Sequence, residues 1–348
     1  MRSTVFWLLF ACILTFLTMS CPSEDLVAIN SDQREMDEQS ADKLPIHRQP
    51  LTWLDRRPIG SLFLARVNTK WPTNPRGWFN DQAIDVTTKL GRFLFKKRLM
   101  EYAMQSIGLL KEMNAQGMIV WDIEGMEFPQ GEASYAGDPT QLPRLAPEMN
   151  AVADEFFRRF TNQRLKVGLC IRCNEIVFRS DSSFYQREYA DDEAAFEGLD
   201  KKISYARDRW RCTLFYIDSN AGKHGVFGVD IFRRLLEKHP DCLIAPEHCT
   251  TEYFACTTPY RELRKSAPWG GVASTPETIK ELYPGTFSLI NVADGDIHGR
   301  RKELLQAVKS GDILLYRSWY RSNEFSKVKS IYYDAKAGAS ASGFKNAE

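Results

Sequence analysis

The chain has 348 residues, 46 of them Lys or Arg and 45 Asp or Glu, for a formal net charge of +1. Its cations are scattered, and no basic stripe argues for nucleic acid as a partner. About 300 residues follow the polar N-terminal region, near the upper size for one hydrophobic core and typical of one barrel.

Residues 1–21 read as an export signal, with Arg2 as the positive start, an apolar stretch over 5–17 and small or polar residues up to Cys21. The apolar stretch is too short to span a bilayer comfortably, and no other run in the chain is long enough. Leu17-Thr-Met-Ser-Cys21 resembles a bacterial lipobox, although Thr18 and Met19 depart from the usual leucine and small residue. Two readings stay open: lipidation of Cys21, which ties the protein to a membrane surface without spanning it, or ordinary cleavage near Ser20. Either way the expectation is an exported protein, anchored as an envelope lipoprotein or free in the periplasm or outside the cell. Residues 22–50 are polar and poor in aromatics, cannot bury enough apolar surface to offset ordering, and are expected to be a linker.

From 51 to 340 short apolar runs alternate with helical stretches, the pattern of a single (β/α)8 TIM barrel in the α/β class. The first strand is expected at 60–67 (GSLFLARV), followed by a Trp-, Pro- and Asn-rich loop at 68–81 and a long helical region to Asn114. Gly117 reads as the stop of that helix. Strand two is 118–124, and a long loop to 143, rich in aromatic and turn residues, is expected to be functional. One helix is predicted from 145 to about 162, from apolar Met149, Val152, Phe156 and Phe160. Strand three is 166–174, and an acidic helix start near Asp191 follows a second excursion. Strand four is 213–218, with its helix at 226–238. Strand five is 242–247. The sixth is placed at 270–274, followed by Ser274 or Thr275 as a cap, with Pro276 in the first turn. Strand seven is 286–294, a helix spans 300–310, strand eight is 312–319, and 341–348 is expected as a disordered tail.

Three strands end in carboxylates: MIVWDIE at 118–124, TLFYID at 213–218 and CLIAPE at 242–247. Barrel chemistry sits at C-terminal strand ends. Because side chains alternate along a strand, Val120, Asp122 and Glu124 share one face, as do Tyr216 with Asp218 and Ala245 with Glu247. If those faces point inward, Asp122, Glu124, Asp218 and Glu247 crowd one mouth, where Arg66, Arg172 and Arg317 could pair with them. Burying so many carboxylates is costly unless they are paired or used. A carboxyl pair is what glycosidic bond cleavage needs, one member acidic and the other basic or nucleophilic.

On these residues the chain resembles TIM-barrel glycosidases of the α-amylase and α-galactosidase kind. The shared features are the aspartate ending strand four, the glutamate ending strand five, and the acid of Asn291-Val-Ala-Asp294 near the end of strand seven. The resemblance implies a glycoside hydrolase with Asp218 as nucleophile, Glu247 as general acid/base and Asp294 as a substrate-orienting carboxylate. It also implies an oligo- or polysaccharide substrate. The chain departs from the amylase pattern at Tyr216, where an arginine is usual, and lacks the histidine after strand three. The alternative catalytic pair is Asp122 with Glu124, in WDIEG. Trp121, Tyr216, Trp319, Arg66 and Arg172 are further candidates to contact substrate. Trp71 and Trp78 could equally stack on sugars or fill the core.

Two other functions are compatible with the sequence: a metal-dependent hydrolase, or a non-catalytic surface glycan-binding protein. His248 and the Asp294, Asp296, His298 run supply metal-ligand types. Strand alternation would nevertheless turn His248 away from Glu247, and neither an HxH nor an HExxH spacing occurs. No cofactor-binding motif is expected. Cys170 and Cys173 would point to opposite faces of strand three and could not share an ion. Cys249 and Cys256 are spaced so that they could bridge.

Overall fold

In strand order, eight short apolar segments pair side by side in a computed structural model that describes residues 51–65, 71–125, 135–181, 183–222, 225–263, 274–292, 297 and 299–343. Residues 1–50, with the expected signal, linker and Cys21, lie outside the described residues, as do Arg66, Asp294, Asp296 and His298. The strands are β1 (Ile59–Leu62), β2 (Gly117–Val120), β3 (Lys166–Arg172), β4 (Leu214–Asp218), β5 (Leu243–Pro246), β6 (Tyr260–Glu262), β7 (Leu289–Asn291) and β8 (Ile313–Arg317). All neighbours are parallel, in the order β6-β7-β8-β1-β2-β3-β4-β5. The Thr258 N–H donates to the Ile244 carbonyl at 2.9 Å across the seam between β5 and the approach to β6. The sheet is a nearly closed (β/α)8 barrel.

The intervening helices are α1 (Lys89–Glu112), α2 (Ala153–Thr161), α3 (Asp192–Trp210), α4 (Val229–Lys238), α5 (Glu277–Leu282) and α6 (Arg301–Lys309), with α7 (Asn323–Gly343) after β8. Between β5 and β6 there is only a 3-10 turn, Thr251–Ala255. Local chemistry sets the helix starts. The Thr88 side chain accepts from Gly91 N at α1, and Asp191 accepts from Ala194 N at α3, ahead of acidic Asp192 and Glu193.

The alternation of side chains gives two apolar layers. Ile59, Ile119, Trp121, Cys170, Leu214, Tyr216, Leu243, Tyr260, Leu289 and Leu315 fill the barrel interior. Leu62, Met118, Val120, Leu169, Phe215, Ile244 and Leu314 face the helices. Cys170 belongs to the first layer and Cys173 to the second. Cys249 and Cys256 form no disulfide with each other.

Several expected elements shift. The sixth strand is Tyr260–Glu262 rather than 270–274, of which 270–273 lie outside the described residues. Asn114, at φ 55°, ends α1 in the left-handed conformation, whereas Gly117 opens β2. The helix expected over 145–162 breaks into Leu142–Leu145, Pro147–Asn150 and α2, because Ala146 precedes a proline and adopts φ −143°, ψ 71°. Thr275 does not cap α5. Its N–H and hydroxyl both donate to the Asp312 carboxylate, at 2.9 and 2.5 Å. Helix α7 continues through Gly343, into the expected tail.

Candidate active site

The strand phase that fills the barrel interior also decides which side chains emerge at its C-terminal end. Past the interior layer, β4 ends in Asp218, β5 leads to Glu247 and β6 ends in Glu262. All three border a cavity of about 170 Å3. Its walls include Phe63, Trp121, Tyr216 and Tyr260, and Asn291 reaches it from β7. The rings meet in sequence: Phe63 stacks on Trp121 at 5.3 Å, Trp121 lies tilted against Tyr216 at 4.9 Å and Tyr216 meets Tyr260 edge-on at 4.8 Å between centroids. Such rings suit a ligand with an apolar face and a polar edge.

The acids are held by their neighbours. In the β3–β4 ladder Arg172 lies opposite Asp218, and its Nε sits 2.8 Å from Asp218 Oδ2. That contact is an ion pair without good hydrogen-bond direction. Another guanidinium nitrogen, Nη2, donates to Ser219 Oγ at 2.9 Å. Gly137, at φ 62°, packs so closely on Arg172 that a Cβ there would lie 2.5 Å from Arg172 Cγ. The buried Lys202 ammonium donates to the carbonyls of Arg172 and Asn174 at 2.7 and 2.6 Å, fixing the backbone that carries Arg172.

Ser219 adopts φ 54°, unusual for a residue with a side chain, and from there its N–H donates to Glu247 Oε2 at 3.0 Å. Next to it, buried Asn220 accepts from His248 N at 2.7 Å and donates to the His248 carbonyl at 2.9 Å. The exits of β4 and β5 are therefore clamped together. Burial pushes the Glu247 carboxyl up to about 7, and the charge of Asp218 acts in the same direction. The Ser219 N–H and the Tyr216 hydroxyl pull it back only in part. At β6, the Tyr260 hydroxyl donates to Glu262 Oε1 at 2.8 Å and accepts from Asn291 Nδ2 at 2.6 Å.

Strand two does not do what its sequence phase suggests. β2 ends at Val120, which faces the helices, and neither Asp122 nor Glu124 lines the cavity. The expectation that this face points inward is corrected: Trp121 points in, and the acids on either side of Ile123 lie behind it. Asp122 accepts from Leu64 N and Ala65 N, each at 2.6 Å, and so ties down the exit of β1. Both Glu124 oxygens are buried and meet no hydrogen-bond donor from another described residue. Burial pushes that carboxyl up to about 8, reinforced by the charge of Asp138 and opposed by Lys202.

Of the other candidates, Trp121, Tyr216 and Arg172 join Asp218 and Glu247, whereas Trp319 borders a neighbouring cavity. Trp78 is core, its indole N–H donating to buried Glu148 at 2.8 Å. Arg317 donates to the Tyr320 hydroxyl at 3.2 Å. Because β5 stops at Pro246, strand alternation no longer governs His248, and its imidazole Nε2 comes within 3.8 Å of Glu247 Oε2 without lining the cavity. Glu262, Tyr260, Asn291 and Ser219 were not anticipated. The period-two pair Tyr260 and Glu262 is the one signal that could have revealed the strand carrying them.

Comparison with known proteins extends the fold and no further. No family model matches the chain, and no curated protein sequence matches it. A Nostoc punctiforme debranching enzyme soaked with acarbose is similar in structure, at TM-score 0.53 and 9% identity, over 84% of this chain and 83% of that one. An α-amylase from Lactobacillus plantarum aligns at TM-score 0.46 and 12% identity, over 80% and 79% of the two chains. An α-L-fucosidase from Paenibacillus thiaminolyticus aligns at 0.46 and 9%, over 82% of this chain and half of its own length. What the chain shares with the debranching enzyme is the barrel.

Proposed function

We propose that the protein is a glycoside hydrolase in which Asp218 is the nucleophile and Glu247 the general acid/base. The observation that carries the reading is the Asp218–Glu247 pair itself, two carboxyls bridged by Ser219, whose hydroxyl donates to Asp218 Oδ2 at 3.3 Å and whose N–H donates to Glu247 Oε2 at 3.0 Å, in an aromatic-walled cavity at the C-terminal strand ends. Their environments differ. The Arg172 guanidinium lies 2.8 Å from Asp218, whereas burial and the nearby Asp218 charge push the Glu247 carboxyl up to about 7. One group is ready to attack and the other to donate. The barrel fold shared with the debranching enzyme agrees with this reading as an analogy.

In the first step the Asp218 carboxylate bonds to the anomeric carbon as the glycosidic C–O bond breaks, and the Glu247 proton passes to the leaving oxygen. In the second, Glu247, now a carboxylate, takes a proton from water. The resulting hydroxide displaces Asp218 and regenerates both groups, with one water consumed. With both carboxyls bridged by Ser219, the pair favours a retaining enzyme, whose carboxyls stand about 5–5.5 Å apart, over an inverting one at roughly 6.5–9.5 Å. Glu262, fixed by Tyr260, serves to orient sugar hydroxyls, as does Asn291. Trp121 and Tyr216 present ring faces to the sugar. Export and lipid attachment at Cys21 belong to the same proposal, placing a carbohydrate-cleaving barrel at the cell envelope.

The test is reducing-sugar release across a panel of oligo- and polysaccharides by the wild-type chain and by Asp218→Asn and Glu247→Gln. Turnover abolished in both variants, with melting unchanged, is the expected result. Turnover that survives both would overturn the assignment. Binding without turnover would favour a glycan-binding protein.

A further inference from the structure

A second cavity, about 420 Å3, lies beside the first, walled by the segments after β1 and β8 and by the middle of α1. Its size falls in the range of small-molecule sites, roughly 300–1,000 Å3. Phe63 lines both cavities. From it an unbroken file of rings leads outward: Trp319 at 5.1 Å from Phe63, then Tyr320 at 5.4 Å from Trp319. Inward, the same file continues through Trp121 to Tyr216, which lines the catalytic cavity with Glu247. Phe79 and Tyr102, 5.3 Å apart, form the opposite wall.

Packing alone does not account for this arrangement. Phe63, Phe79, Tyr102 and Tyr320 are only half-buried around an open space. Phe79 and Asn80 sit at successive left-handed positions, φ 58° and 52°. Each such position costs about 1–3 kcal/mol and persists only where the surroundings impose it. The rim is polar and of mixed sign: exposed Arg98, Glu101 and Gln105 provide donors and acceptors with little net charge. A phosphate-bearing ligand would want a cationic rim, and a purely apolar one would leave these groups unsolvated and unpaired. A neutral sugar ring has apolar faces for the aromatics and hydroxyls for the rim.

We infer that the second cavity is a glycan subsite continuous with the catalytic one, so that the substrate is a neutral chain of linked sugars running past Phe63 along the Trp319 and Tyr320 wall. This rests on the glycosidase reading. The test uses the full chain and the double variant Glu101→Ala/Gln105→Ala, whose exposed positions spare the core, together with Tyr320→Ala. For the sugar that turns over, kcat/KM is measured on its tetrasaccharide and on its p-nitrophenyl monosaccharide. The tetrasaccharide-to-monosaccharide ratio is expected to fall about tenfold in the variants, mainly through KM. A ratio that does not move overturns the subsite while leaving the hydrolase reading intact. If nothing turns over, that reading fails, and the subsite is judged by tryptophan fluorescence with maltotetraose, cellotetraose, xylotetraose and a galactan tetramer. Saturable binding weakened in the double variant retains it, and the absence of binding overturns it.

Discussion

Asp122 and Glu124 follow β2, while Asp218, Glu247 and Glu262 stand at or just beyond the ends of β4, β5 and β6 in the same barrel. The first two lie behind the sheet, where Asp122 is consumed by two backbone N–H groups and Glu124 meets no such donor among the described residues. The other three share one cavity with aromatic rings and, for Asp218, an arginine. Residue type is the same in both regions. What differs is one residue of phase, because β2 sends Trp121 inward where β4 sends Asp218. A carboxylate at a strand end is a candidate for chemistry only if its strand turns it into the barrel, and otherwise it is a fastener or an unpaired burden.

That contrast can be broken most decisively by activity. Asp218→Asn and Glu247→Gln are expected to lower kcat on the order of a thousandfold or more, while Asp122→Asn and Glu124→Gln leave it within about threefold. The reverse pattern in an assay of the four variants would move the chemistry to β2. Next in size is stability. Asp122→Ala strands the buried N–H groups of Leu64 and Ala65, and urea midpoints should show a loss of about 3 kcal/mol or more.

Glu124 should behave in the opposite way. Its carboxyl, ordinary when unfolded and near 8 when folded, keeps its proton more tightly in the folded protein. Folded stability is therefore fully present below the unfolded pKa and is lost as pH rises from there through about 8. Glu124→Gln removes that dependence, and denaturation at pH 5 and pH 8 should show its advantage growing by up to roughly 3 kcal/mol. The smallest effect sharpens the cavity side. If Glu247 must hold a proton to act, kcat/KM falls as pH rises through about 7. Tyr216→Phe removes a hydroxyl that lowers the Glu247 pKa, so the alkaline limb should move up by about one unit or less.

Much of the barrel was legible because seven of its strands are apolar runs set off by helical periodicity. β6 was not: Tyr-Arg-Glu is short, carries two charges and follows a proline, so neither hydrophobicity nor length marks it. The interior phase of β4 and β5 could be read because their runs continue to the acid or next to it. The same reasoning failed on β2, where alternation holds but the face shared by Val120 and Asp122 is the one turned to the helices. Beyond Pro246 it no longer applies, and the departing chain brings His248 back toward Glu247. Alternation holds only while the strand lasts, and its end is decided by tertiary contacts such as the Asn220 clamp. Arg172 was one of three arginines that could pair with the acids, but which acid it meets was not legible, since a register between strands separated by some forty residues leaves no mark in either strand alone.

The assignment of Asp218 as nucleophile has a covalent consequence. The protein would be incubated with the 2-deoxy-2-fluoro glycosyl fluoride of the sugar it releases, then digested and mapped by mass spectrometry. One glycosyl group on the peptide containing Asp218, absent in Asp218→Asn, is the expected result. A label on the peptide carrying Asp122 and Glu124, or turnover with inverted configuration and no label, would contradict it.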